Sequence, residues 1–127
     1  MTAEADSTDA GARLASSPRS RLARVALDAA TALPQVAVGV RGAQRVWATA
    51  DDGEILEGVV AAARPDARFD VELHLVAQWP FESLFALADE VRSRVQRAAA
   101  RADLDGILGQ VTVAFEDVRE ASNEVAG

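Results

Sequence analysis

RFDVELHLVAQWPFESLFALADEVRSRVQRAAAR, residues 68–101, changes its hydrophobic period partway along. At its start Phe69, Val71, Leu73, Leu75 and Ala77 alternate with Arg68, Asp70, Glu72 and His74. Period two places the two sets on opposite faces of a strand, one buried and one wet or matched to charged neighbours. Trp79-Pro80 then turns the chain. From about Glu82 to Arg101 the apolar residues Leu84, Leu87, Ala88, Val91, Val95 and Ala98 recur at helical spacing. Acids come early in this helix and arginines late, which suits the helix dipole. Glu90 and Arg94 stand at the favourable i,i+4 separation.

Working upstream, Ser17-Pro18 is a helix start, because Ser caps and Pro suits the first helical position. Leu22, Val25, Ala26, Ala29, Ala30 and Leu33 form one stripe, and Pro34 ends it, predicting a helix over 18–33. Val36, Val38 and Val40 alternate, and 45–49 reads as extended again. Asp51-Asp52-Gly53 signals a hairpin turn, and 55–63 reads as one strand. Arg64-Pro65-Asp66 is a further turn. Downstream, Asp105-Gly106 marks a loop, and Val111, Val113 and Phe115 give a closing strand over 110–118.

A long helix between two strands permits parallel pairing through a crossover. The expectation is therefore α+β: a two-layer sandwich, two helices packed on one face of a small mixed sheet. The domain covers 18–118, between a flexible acidic tail at 1–17 and an acidic C-terminal tail at 119–127.

Composition narrows the function. The chain has 127 residues, half of them hydrophobic, enough for one domain with a core. It has no cysteine, which removes disulfides, thiolate nucleophiles and Cys-based zinc sites. Its net charge is −7, with Glu4, Asp6 and Asp9 near one end and Glu116, Asp117, Glu120 and Glu124 near the other. That balance argues against nucleic acid, whose phosphates need a basic surface. Neither a secretory signal nor a run of about 20 apolar residues is present. The expectation is a cytoplasmic protein with no membrane span of its own.

Little in the chain points to chemistry. His74 is the sole histidine, so any triad would need it, with Asp70 or Glu72 as carboxylate partners. Its place on a charged strand face reads more simply as structural. Asp51-Asp52-Gly53-Glu54 is acidic but does not follow a calcium-loop pattern. The scattered glycines match no phosphate-binding loop. No catalytic residue, metal or cofactor is expected. Arg94, Arg97 and Arg101 share a helix face that could meet an anion, although a solvated face is the plainer reading. Trp79, Phe81 and Phe85 cluster at the strand-to-helix junction, with Trp47 as a further large ring. Rings at an element edge either fill the core or anchor a protein contact, so Trp79, Phe81 and Phe85 form the candidate interaction surface.

Three segments carry a resemblance. RLARVALDAATALPQVAV (21–38), FDVELHLVAQWPFESLFALADEVRSRVQRAA (69–99) and ILGQVTVAFEDV (107–118) resemble the opening helix and strand, the long strand and helix, and the closing strand of the alkaline shock protein family. These are general or envelope stress proteins of Gram-positive bacteria. Gln35 stands where that family usually has Gly, Trp79-Pro80 where it commonly has Gly-Val, and the region 42–65 is longer than its norm. The resemblance implies a non-enzymatic, cytoplasmic scaffold that self-associates or docks on a membrane-anchored protein partner, and so sits peripherally at the membrane. A small RNA-binding α+β module is the alternative, on fold-level analogy.

Overall fold

The computed structural model describes residues 17–38, 48–51 and 54–120, with backbone alone for 48–51, 54 and 55. Helix α1 is Pro18–Thr31. It starts where Ser17 Oγ accepts the Ser20 N–H at 3.2 Å, with Pro18 in the first turn. It ends short of Pro34, with the Leu33 N–H bonded to the Ala30 carbonyl. Strand β1 is Val36–Val38, β2 Ala48–Asp51, β3 Glu54–Glu57, β4 Val59–Ala63 and β5 Phe69–Trp79. Helix α2 is Leu84–Arg101, followed by a 3-10 turn at Asp105–Ile107 and strand β6, Leu108–Glu120.

β5 is the central strand. On one side it pairs in parallel with β6. On the other it pairs antiparallel with β1 at Leu75–Ala77 and with β4 at Phe69–Leu73. The sheet is therefore mixed, as expected. β1 and β4 occupy one lane: Val38 lies opposite Leu75, Val59 opposite Leu73, and the His74 N–H bonds the Gly58 carbonyl at 2.8 Å between them. The chain leaves this lane after Val38 and re-enters it at Gly58. In the interval β2 and β3 form a separate antiparallel pair, with Asp51 opposite Glu54.

The single strand expected over 55–63 is thus two strands of two sheets. The reason is Gly58, whose φ of +96° lies in the region that side chains disfavour. A Cβ there would stand 3.1 Å from Val38 Cγ1 and 3.3 Å from the His74 carbonyl. The pairing expected around Asp51-Asp52-Gly53 is present, although residues 52 and 53 lie outside the described residues, as do Trp47 and Val40.

Both helices lie on one face of the sheet and share one core. Leu22, Ala23, Ala26 and Ala30 of α1 meet Leu87, Val91, Val95 and Ala99 of α2 over Val59, Ala61, Val71, Leu73, Leu75 and Val111. The small residues of α1 let its backbone approach the sheet closely, as tight packing requires. Leu56 of β3 joins this core as well.

The end of α2 follows from local bonding. The Leu104 N–H reaches the Ala99 carbonyl at 2.8 Å and the Asp103 N–H the Ala100 carbonyl at 3.1 Å. Asp103 takes the positive φ, 62°, that this Schellman closure demands. Leu104 then tucks into the core. At the other end, Ser83 caps α2 by accepting the Ala86 N–H at 3.0 Å, so the helix starts at Leu84, two residues after the start expected at Glu82. β6 also runs past its expected end: Arg119 and Glu120 are strand, paired with Gln78 and Trp79, rather than tail. The remainder of both expected tails, 1–16 and 121–127, lies outside the described residues.

Candidate functional site

Three places in the fold gather the side chains that could act on something outside the chain. The first is the aromatic junction. Trp79 closes β5 and is joined to Pro80 by a cis peptide bond. Its ring meets Phe81 edge-on, centroids 4.9 Å apart, an arrangement that favours the ring quadrupoles. Phe81 is half-buried against the core. The other two rings are not core residues: Trp79 is 50% exposed and Phe85, in the first turn of α2, is 86% exposed. Leu84 and Val118 are exposed beside them in chain and register, Val118 lying opposite Ala77. The sequence brings Trp79, Phe81 and Phe85 to one end of the sheet, and the fold divides them into one packed ring and two presented ones.

The second place is the sheet face turned away from the helices. β6 carries two bulges against β5, one between its Leu108 and Val111 pairings and one at Glu116. Each bulge is tied to β5 by a side chain. At the first, Asp70 Oδ1 accepts the Gln110 N–H at 2.8 Å, and Arg64 Nη1 lies 3.2 Å from the same oxygen. Gly109 leaves room for this, since a Cβ there would come within 2.5 Å of Asp70 Oδ1. The Gln110 N–H above all holds the Asp70 carboxyl below its ordinary value; burial opposes it, and Arg64 adds to the lowering. At the second bulge, Glu116 Oε2 lies 2.8 Å from His74 Nδ1, while Glu72 Oε1 is 3.3 Å from Nε2. Both ring nitrogens therefore face carboxylates. A neutral imidazole has one N–H, so it donates to one of the two, and only the imidazolium donates to both.

His74 is buried, at 8% exposure, and Val76, between Ala37 and Asp117, is fully buried. The face is thus less wet than its charges alone imply. Of the two carboxylates expected beside His74, Glu72 reaches the imidazole, whereas Asp70 belongs to the Arg64 pair. Glu116, which sequence reasoning left in the tail charge, is the missed partner. Its signal was the Glu116-Asp117 pair interrupting the alternation of Val111, Val113 and Phe115, as a bulge does. Among the described residues, no group of three His, Asp or Glu is placed to hold a metal ion.

The third place is a cleft of about 450 Å³ between α1 and α2, lined by Val25, Asp28 and Ala29 on one side and Arg94, Arg97, Ala98 and Arg101 on the other. Arg94 makes the expected pair with Glu90, Nε to Oε2 at 3.2 Å. Among the described residues no helix is long and apolar enough to cross a membrane.

No protein-family model matches this chain, and searches of curated proteins and of solved structures return no match either.

Proposed function

We propose that this chain is a protein-interaction module that works by association rather than by bond-making chemistry, and that the aromatic rim of Trp79, Leu84 and Phe85 is its contact surface. The observation that carries this reading is Phe85, which leaves 86% of a large apolar side chain in water. Covering it would be favourable by about 25 cal/mol for each Å² of apolar area removed. Exposed aromatics of this kind anchor protein contacts.

The first partner is a second copy of the chain, since one apolar patch on each of two copies satisfies a two-fold contact. Pairing along the edge of β6 that is open among the described residues is the weaker route, because the Glu116 bulge and the charges of Asp117, Arg119 and Glu120 guard that edge. The resemblance to alkaline shock proteins supplies the setting: a cytoplasmic, non-enzymatic scaffold of the envelope stress response, self-assembled or held by a membrane-anchored partner. RNA binding is disfavoured by the acidic second face, where Asp70, Glu72, Glu116 and Asp117 would repel phosphates.

Trp79 is half-exposed, so its fluorescence reports the contact. In a Trp47→Phe chain the emission should shift to the blue as concentration rises from micromolar to millimolar. Emission that stays unshifted over that range contradicts association through the rim.

A further inference from the structure

The cleft between α1 and α2 lies at the far end of α2 from the aromatic rim. Twelve residues separate Phe85 from Arg97, about 18 Å along a helix. Its floor is small and apolar, from Val25, Ala29, Ala32 and Ala98. Its α2 wall carries Arg97 and Arg101, one helical turn apart. Among the described residues neither has an ion-pair partner, whereas Arg64, Arg92 and Arg94 are each matched to an acid. Nor do they cap the helix. The last carbonyls of α2 are taken by the backbone N–H groups of Ala102, Asp103 and Leu104. Both cations therefore line a groove of mixed polar and apolar surface, on a chain whose net charge is −7.

We propose that this cleft is a docking groove for an acidic helical segment of a partner protein, with Arg97 and Arg101 receiving two of its carboxylates. The spacing sets the partner's pattern. Cβ atoms one turn apart on a helix are about 5–6 Å from each other, so the matching carboxylates stand three or four residues apart. Arginine suits the task, because its planar fork binds a carboxylate through two N–H groups. The small floor, Ala29, Ala32 and Ala98, admits a third helix close to the other two, where helix axes pack about 8–10 Å apart. Asp28, on the opposing α1 wall, is the one acid lining the groove among the described residues. It lowers affinity for a purely acidic segment and favours one that also presents a donor on that side.

The probe is a fluorescein-labelled amphipathic peptide with Glu at every fourth position and Ala and Leu between, titrated with the full chain at low salt. Saturable binding is expected, and an analogue with Gln for every Glu should not bind. Arg97→Gln with Arg101→Gln should weaken binding about tenfold or more, the loss of some 1.4 kcal/mol. Asp28→Asn should tighten it several-fold, and salt should weaken it. Arg92→Gln, whose wild-type side chain is paired with Asp89, should change nothing. Phe85→Glu should also leave peptide binding intact, which separates this groove from the rim. No saturable binding up to millimolar chain would overturn the proposal. So would equal binding of the Gln analogue, or an unchanged affinity in the double Arg variant. Displacement of the peptide by inorganic phosphate or single-stranded RNA at concentrations below its own dissociation constant would assign the arginines to another ligand and overturn it as well.

Discussion

Asp70 does more than balance Arg64. Its carboxylate accepts the N–H that a bulge in β6 frees at Gln110, and it fits there because residue 109 is glycine. The bond to Gln110, then Arg64, depresses its folded pKa below the ordinary 3.8. The unfolded chain therefore binds the proton more readily than the folded one. By linkage, ionised Asp70 contributes stability that is fully present above its unfolded value and lost as pH falls through the lower folded value. Asp70→Ala should lower the melting temperature at pH 7. The gap to wild type should narrow below about pH 4. Thermal unfolding followed by circular dichroism across pH 2–7 reads both effects, and a gap independent of pH would assign the role of Asp70 to packing alone. The second bulge is tied in the opposite direction, with Glu116 of β6 reaching back across the sheet to the His74 imidazole.

Among the elements, the interrupted lane formed by β1 and β4 sets the plan of the sheet. The two strands share one register line on β5, with Gly58 filling the place opposite His74. Between Val38 and Gly58, the described residues 48–51 and 54–57 pair with each other outside that lane. Deleting residues 39–57 would join Val38 to Gly58 and Val59, directly opposite Leu75, His74 and Leu73. The shortened chain should still unfold cooperatively. It should be less stable by about 1.5–3 kcal/mol, the burial of one Leu side chain, because Leu56 leaves the core. Denaturant unfolding measures this, and loss of cooperativity would mean that the deleted segment is integral to the sheet. Local period made β5, α2 and β6 legible in the sequence, since alternation and helical stripes depend only on near neighbours. The break at Gly58 was not legible there. Residues 55–63 are apolar apart from Glu57 and Gly58, and what divides them is the backbone angle of Gly58, where Val38 and the His74 carbonyl, distant in sequence, crowd the place of a side chain. The same holds for the end of β6. Arg119 and Glu120 read as tail by composition, and β5 makes them strand because Gln78 and Trp79 extend to meet them.

At the scale of the molecule, the two helices and the sheet bury one core and leave distinct outer surfaces. The candidate site was half legible. The sequence marks Trp79, Phe81 and Phe85 as a cluster, but only the fold decides that Phe81 packs inward while Phe85 remains almost wholly exposed. The arginine face of α2 was legible as a stripe. The groove it borders was not, because α1 supplies the other wall. The aromatic rim at one end of α2 and the cleft at the other are the two separate places at which we propose partner proteins are held.

The most direct test is light scattering coupled to size exclusion, run on the wild-type chain and on Phe85→Glu from micromolar to millimolar concentration. Phe85 is exposed, so the variant should keep the wild-type melting temperature, within the roughly 0.5 kcal/mol usual for surface changes. If the rim is the contact surface, the wild-type mass rises with concentration above the 13.4 kDa of one chain and the variant stays at it. A wild-type mass fixed at 13.4 kDa throughout, or a variant that assembles as well as the wild type, contradicts association through the aromatic rim.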